Sequence, residues 1–361
     1  MPQGTAYMII MKKGLATVAQ LAEFDEIIDA RSPAEYAEDH LPGACSCPVL
    51  DNAQRAEVGT IYKQRSAFEA RRIGAAMVAE NIARHLFQHF QDKPRNWRPL
   101  VYCWRGGQRS GAFVNWLRMI GWDACQLEGG YKLWRRHVVA ELDSLPERLS
   151  FRVVCGATGS AKTRVLHALA ELGAQVVDLE YLAAHKGSVL GSLPDRSQPS
   201  QKMFESHLYR VLQGLDPARP VYVEAESRKI GQIHVPEAMI NRMRASDCVE
   251  IDASREARID YLLRDYAYLG DDRIDLQTRI GYLKGLQSNE RLQHWRTLAA
   301  TGDLATLFTE FIDHHYDPLY RRSQNRNYTR FTEARRLCSD DLSDTGIRTL
   351  AERMLAQDGA T

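Results

Sequence analysis

Three kinds of feature are scarce in this 361-residue chain, and each scarcity removes a class of protein. No apolar run approaches the roughly 20 residues that cross a bilayer, so no membrane partner is expected. The opening Met1-Pro2-Gln3-Gly4 leads into an apolar patch without the length, charged flank or cleavage site of a signal peptide. The cysteines, at 45, 47, 103, 125, 155, 248 and 338, are odd in number and nowhere show the paired CxxC spacing of a zinc site. A reducing, cytoplasmic setting is expected. A net charge of +1 excludes a chain coated in basic residues, and no DNA partner is expected. A local basic patch stays open. No internal repeat or low-complexity segment is present.

What is present is ample apolar material, 44% of residues, in a chain longer than one core usually organises. Two domains are therefore expected. Short apolar strands alternate with helical stretches, an α/β pattern. Ile27-Ile28-Asp29 and Leu100-Val101-Tyr102 read as buried parallel strands ending at polar loops. Residues 66 to 91 read as a long helix with Ile73, Met77, Ile82, Leu86 and Phe90 on its apolar face. After the charged stretch Glu141 to Arg148 a second unit begins at Phe151-Arg152-Val153-Val154-Cys155. Further strands are expected at Gln175 to Leu179, Pro220 to Glu224 and Cys248 to Ile251, and the sequence turns helical and charged from Ser254 to about Tyr320. The expected division is 1–145, 150–253 and a helical C-terminal region over 254–361.

Two glycine-bearing loops carry the chemistry. The first is Cys103-Trp104-Arg105-Gly106-Gly107-Gln108-Arg109-Ser110. Its spacing curls successive N–H groups around one point, and a helix starting near Ser110 directs its positive end there. An anion is favoured at the centre, and the same field favours Cys103 as a thiolate. Arg105 and Arg109 add fixed charge, with Arg109 better placed for a bidentate grip on an oxyanion. Trp104 is expected to pack on the core rather than stack on a base. A Cys-x5-Arg loop also serves phosphatases, and its length alone does not separate attack on phosphorus from attack on sulfur or selenium.

The second loop, Gly156-Ala157-Thr158-Gly159-Ser160-Ala161-Lys162-Thr163, lies between a strand and the helical stretch Arg164 to Leu172, the setting of a P-loop. Gly156, Thr158, Gly159, Ser160 and Ala161 are expected to cradle phosphates, Lys162 to contact the terminal ones, and Thr163 to bind Mg²⁺. Ala161 stands where a glycine is usual. The acidic partner of the metal is expected at the end of Val221-Tyr222-Val223-Glu224-Ala225-Glu226, with Glu226 ahead of Glu224. Asp178 and Glu180 are alternative holders of metal or substrate. Arg228, Arg255 and Arg258 are candidate phosphate clamps, although surface ion pairs explain Arg255 and Arg258 equally well.

Segments around both loops extend the pattern. Asp29-Ala30-Arg31-Ser32-Pro33-Ala34-Glu35-Tyr36, with His40-Leu41-Pro42-Gly43-Ala44, resembles the first signature of rhodanese domains. Leu127-Glu128-Gly129-Gly130-Tyr131 with Trp134 resembles their closing signature. A rhodanese-like domain followed by a P-loop domain resembles the bacterial tRNA 2-selenouridine synthase family. Leu50 to Gln64, Asp178-Leu179-Glu180 with His185-Lys186-Gly187-Ser188, and Glu226-Ser227-Arg228-Lys229-Ile230-Gly231 carry the likeness along nearly the whole chain. The resemblance implies a fold of a rhodanese-like domain plus a P-loop NTPase-like parallel-sheet domain with a helical C-terminal extension. It implies action on the wobble 2-thiouridine of tRNAs for lysine, glutamate and glutamine. Selenophosphate would supply selenium, geranyl diphosphate would first alkylate the sulfur, and the essential cysteine falls on Cys103. On this reading Cys103 serves the delivery of selenium to C2 of the uracil while Arg105 and Arg109 hold the phosphate end, and Lys162, Thr163 and Mg²⁺ hold the geranyl donor's diphosphate.

RNA contacts are expected from Lys132, Arg135 and Arg136, which follow the closing glycines. A second group, Arg321, Arg322 and Arg326, lies within Tyr320 to Arg330, where arginines and tyrosines suit phosphate contact and base stacking. Adjacent His314 and His315 face different ways on a helix and are not expected to share a metal. Two other readings fit the loops. One is a sulfurtransferase or Cys-dependent phosphatase fused to an ATP-dependent kinase-like domain. The other is a nucleotide-gated RNA-binding adaptor with an idle cysteine.

Overall fold

The computed structural model describes residues 14–358, with the side chains at 321, 323–325, 357 and 358 outside that description. The chain divides into two units, one ending at Glu141 and joined by Glu205–His207, the other holding the remainder from Leu142.

In the first unit five parallel strands form one sheet: β1 (Leu15–Ala16), β2 (Glu26–Asp29), β3 (Cys45–Ser46), β4 (Pro99–Tyr102) and β5 (Cys125–Leu127), in the order β1-β5-β4-β2-β3. Every residue of β4 is buried, as expected of a central parallel strand covered on both faces. The expected long helix runs Ala67–His89, started by Ser66, whose hydroxyl accepts from the Glu69 amide at 3.0 Å. It buries Ile82 against Ile28, Val101, Phe113 and Leu117. The helix Gln108–Ile120 follows β4 and stops at Gly121, which takes φ +114°.

The second unit holds another parallel sheet of five strands. These are β6 (Ser150–Gly156), β7 (Gln175–Val177), β8 (Pro220–Glu224), and, after the hairpin of β9 (Lys229–Ile230) and β10 (Ile233–His234), β11 (Asp247–Ala253) and β12 (Arg335–Ser339). Their order is β12-β11-β6-β8-β7. β6 is thus central, and the chain turns left from it to β8 and right to β11. Ligands of open parallel sheets bind at such a reversal, beyond the strands' carboxyl ends. The strand expected to reach Leu179 stops at Val177. Asp178 there caps the helix Leu179–Ala183 by accepting from the Tyr181 amide at 2.7 Å, which bends the chain out of the sheet.

From Arg255 to Asn327 the chain is helical and encloses its own core of Leu276, Ile280, Trp295, Phe308 and Phe311. It then returns to the sheet. β12 pairs with β11, and the helix Asp344–Asp358 covers Lys162–Glu171 through Leu350, Ala351 and Met354. Residues after 254 therefore supply both a helical block and one edge of the P-loop sheet.

Candidate active sites

Cys103 leaves the end of β4, and its loop closes at Gly107, the cap of the following helix. Two donors converge on its sulfur. The Gly107 amide lies 3.3 Å from Sγ and the Ser110 hydroxyl 3.0 Å. The Gln126 amide donates to Ser110 Oγ at 2.8 Å, so the hydroxyl proton remains available to the sulfur. The loop rests on the closing signature. Tyr131 N donates to the Cys103 carbonyl and Lys132 N to that of Trp104, both at 2.9 Å. A Cβ on Gly130 would stand 2.2 Å from the Cys103 carbonyl oxygen, and one on Gly106 would stand 2.7 Å from that of Leu127. Those glycines exist so that two backbones can touch. The Trp104 ring lies against Tyr131, centroids 5.4 Å apart and planes tilted by 30°.

The first signature forms a buried network beneath this loop. The Arg31 guanidinium grips Asp29 at 2.6 Å and donates to the Asp39 carbonyl, while Tyr102 Oη donates to Asp29 at 2.7 Å. Tyr131 lies under the Arg31 guanidinium, 4.0 Å from its ring centroid, and Tyr131 Oη donates to Asp39. Removing one partner of such a pair strands a buried charge, a loss of about 3–5 kcal/mol.

Arg109, expected to grip a substrate oxyanion, instead forks onto Glu35, with Nη1–Oε2 at 2.7 Å and Nη2–Oε1 at 3.3 Å. Glu35 also accepts from Ser32 and Arg55. Burial by itself would raise the Glu35 carboxyl, but the Arg109 hydrogen bonds and charge outweigh it and hold it at about 2. Sequence spacing missed this because Glu35 reaches the loop from another strand's helix. Arg105 is exposed on the loop, as are Lys132 and Arg136. Arg135 is not free for RNA: it is half-buried and pairs with Glu205.

In the second unit the P-loop leaves β6 and enters the helix Lys162–Glu171. Ala161 takes φ +59°, a left-handed conformation that costs a non-glycine residue about 1 kcal/mol. The usual glycine has thus been replaced without a change of shape. Lys162 Nζ folds back to the Gly156 carbonyl at 2.9 Å. Thr163 Oγ1 lies 3.0 Å from both Glu180 Oε2 and Glu224 Oε2. One hydroxyl proton cannot fully serve two ionised acceptors, so a protonated carboxyl belongs in this arrangement.

Glu180, Glu224 and Glu226 offer oxygens that all lie within 4.8 Å of one another. Burial, then the neighbouring Glu226 charge, pushes the Glu180 carboxyl up to about 8. Burial, then Glu224, does the same to Glu226, and Glu224 is also raised. Acids held this close and partly buried call for a cation or for protons. The donor set suits a hard, oxygen-seeking ion such as Mg²⁺. Both expected candidates, Glu226 and Glu224, are in the cluster, joined by the alternative Glu180. Asp178 lies beside it, engaged by His167 Nε2 at 2.6 Å. Gly187, at φ +64°, is needed there, since a Cβ would meet oxygens of Glu180 and Glu226 at 2.7 Å.

A cavity of about 560 Å³ opens over the loop. Gly156, Thr158, Gly159, Ala161, Lys162 and Thr163 line it, as do Asp178, Glu180 and Glu226. Ser160 is wholly buried beneath the loop and is not in the lining. The arginine clamps do not hold. Arg258 is buried and forks onto Asp317 while donating to the Thr158 carbonyl at 2.8 Å, so it braces the loop from behind. Arg255 pairs with Asp313 at the surface and Arg228 approaches Glu237, and neither lines the cavity. The cations that do line it include Lys186, held by Asp265 at 2.7 Å and lying over the Tyr266 ring, and Arg196 over Tyr181. Sequence reasoning missed these, together with the walls Tyr261, Tyr266 and Tyr316. They arise from segments far apart in the chain. Arg322 and Arg326 are exposed on the helix Asp317–Asn327, and the Arg321 side chain lies outside the described residues. His315 is buried against Gln287 while His314 is exposed.

A rhodanese-type cysteine loop on one parallel sheet and a P-loop with a buried acid cluster on another define a class: a two-unit protein with two anion cradles. Comparison with known proteins narrows it. Residues 14–137 match the Rhodanese-like domain family, and residues 149–294 match the family described as the tRNA 2-selenouridine synthase AAA domain. The tRNA 2-selenouridine synthase of Alcanivorax borkumensis is 32% identical over 81% of this chain and 88% of its own length. That of Nitrosomonas europaea is 36% identical over 66% of this chain, a match spanning 63% of the relative's length. The chain belongs to the tRNA 2-selenouridine synthase family.

Among the described residues no helix is long and apolar enough to cross a membrane.

Proposed function

We propose that this protein converts the wobble 2-thiouridine of tRNAs for lysine, glutamate and glutamine to 2-selenouridine, by way of an S-geranyl intermediate. The observation that carries the reading is the pairing of two differently built anion sites in one family member. One presents a nucleophilic sulfur, and the other a phosphate loop beside an aromatic-walled cavity. In the first step the uridine sulfur attacks the first carbon of geranyl diphosphate and diphosphate leaves. Lys162 and the loop amides bind that diphosphate, and Thr163, Glu180, Glu224 and Glu226 would hold Mg²⁺. Bound there, Mg²⁺ would offset the charge that builds on the leaving group. Apolar and tyrosine walls exclude water from the allylic carbon.

In the second step, served by Cys103, the selenium of selenophosphate bonds to C2 of the uracil as the geranyl thiol leaves, and water then cleaves the selenium–phosphorus bond and carries the phosphoryl group away as phosphate. Arg105 is free to bind the phosphate end, and Arg109 joins it by exchanging its Glu35 partner for the incoming oxyanion. Exposed Lys132, Arg136, Arg322 and Arg326 would meet tRNA phosphates. The test is mass spectrometry of nucleosides from 2-thiouridine tRNA incubated with the full chain, Mg²⁺ and each donor. S-geranyl-2-thiouridine is expected with geranyl diphosphate alone, and 2-selenouridine when selenophosphate is added. ATP-dependent phosphorylation with neither product would overturn the reading in favour of a kinase-like domain.

A further inference from the structure

Gln126 is the central residue of β5, its backbone fixed opposite Val101 of β4 on one side and Leu15 of β1 on the other. From there its amide nitrogen reaches two atoms in the first turn of the helix Gln108–Ile120, the Gly107 carbonyl at 2.9 Å and Ser110 Oγ at 2.8 Å. The orientation of the amide is forced. A carbonyl only accepts, so the amide oxygen in that place would repel it. Ser110 is wholly buried, and its single proton has two acceptors in range, Cys103 Sγ at 3.0 Å and the Gly107 carbonyl at 3.4 Å. That carbonyl already accepts from Gln126 and from the Gly111 amide at 3.0 Å, so both of its lone pairs are engaged. The serine proton is left to the sulfur.

We infer that Gln126 is a positioning residue for selenium transfer, acting through Ser110 to keep a hydrogen bond donated onto the Cys103 sulfur. The inference rests on the reading of Cys103 as the residue that serves the selenium step. Gln126 acts in two ways. It occupies the carbonyl that would otherwise draw the hydroxyl away, and the N–H it donates to Oγ polarises the O–H toward Sγ. With the Gly107 amide at 3.3 Å, the sulfur receives two donors. A sulfur that accepts from two sides is set up to react through a lone pair. No motif marks Gln126, which lies beyond the cysteine loop and reaches it only because β5 pairs beside β4.

The experiment takes two readings on the full-length protein, with a thermal melt to report folding. One is 2-selenouridine formed from selenophosphate on tRNA that already carries S-geranyl-2-thiouridine. The other is the rate at which methyl methanethiosulfonate modifies the Cys103 peptide, followed by mass spectrometry. Gln126→Met keeps the length of the side chain without its donor, and it is expected to lower both rates by about tenfold or more, the scale of one hydrogen bond to an ionised acceptor. Gln126→Glu, which accepts where glutamine donates, is expected to lower them further and serves if the methionine form fails to fold. Ser110→Ala is expected to match Gln126→Met, and the two together to lose no more than either alone, because one acts through the other. Losses that multiply in the double variant would overturn the inference, as would selenation that stays unchanged in folded Gln126 variants. An unmodified protein that forms no 2-selenouridine would instead remove the proposed function, and the thiol reagent would then decide by itself whether Gln126 acts on the sulfur.

Discussion

The cysteine loop and the P-loop are built on the same plan, a parallel strand, a glycine-bearing turn and a helix N-terminus, yet they solve opposite electrostatic problems. Around Cys103 one fixed positive charge, that of Arg109, is already answered by Glu35, while Arg105 stays exposed. At the P-loop three clustered carboxyls, Glu180, Glu224 and Glu226, face Lys162 and Thr163, and burial and mutual repulsion push all three toward the protonated form. The first site is a sulfur under two donors on a backbone bed. The second is a cavity lined by Asp178, Glu180 and Glu226 together with Lys162, Lys186 and Arg196. The same local fold thus presents a cysteine sulfur in one place and a carboxyl-flanked phosphate loop in the other, and the difference comes from the side chains brought in by neighbouring segments.

That contrast is broken most sharply by a crossed pair of substitutions. Cys103→Ala is expected to stop selenium insertion, a fall of at least about 10³-fold, with S-geranylation unchanged. Lys162→Ala is expected to cut S-geranylation by about 10²–10³-fold, the loss seen when one electrostatic donor to a developing charge is removed. It should still allow selenation of tRNA supplied already geranylated. Nucleoside mass spectrometry reads both. If either substitution abolished both steps, the division of labour between the loops would fail.

A smaller effect sharpens the negative side of the comparison. Glu226→Gln is expected to weaken the activating effect of Mg²⁺ by roughly 10–100-fold, the scale of lost support at a metal site. A Mg²⁺ titration of geranylation, with a thermal melt to confirm folding, checks it. An unchanged Mg²⁺ midpoint would remove Glu226 from the metal's partners.

The smallest effect belongs to the Arg109–Glu35 pair. The Glu35 carboxyl is held at about 2 in the fold against its ordinary 4.5, so the unfolded chain binds this proton more readily. Its stabilisation is therefore complete above about pH 4.5 and is lost as pH falls toward 2. Glu35 is only partly exposed, and after discounting for solvent screening the contribution is of order 1–2 kcal/mol. Glu35→Gln should flatten the acid limb of the stability curve of the first unit, followed by denaturant titration at pH 3 and pH 6. An acid limb unaltered by the substitution would show that the pair adds nothing.

Much of both sites was legible in the residues themselves. A parallel strand followed by a glycine loop and a helix is written in contiguous sequence, so Cys103, Lys162 and Thr163 were placed without tertiary information. The strand-end acids were readable too, since Glu224 and Glu226 follow β8 directly. The partners of the arginines were hidden for one reason. A guanidinium's partner is chosen by what folds against it, and Asp313, Asp317 and Glu35 lie far along the chain from Arg255, Arg258 and Arg109. The return of the chain as β12 was equally hidden, because a five-residue edge strand after a long helical stretch carries little periodic signal.

The sequence by itself determined the two loops, their order, the alternation of strands and helices, and the family resemblance, because each depends on residues that are neighbours in the chain. Tertiary structure alone decided that Arg258 braces the P-loop, that Glu180 and Glu224 meet at Thr163 with Glu226 beside them, and that tyrosines from separate helices wall the cavity. Charge pairing and burial act through space, and only the packed chain brings those partners within reach.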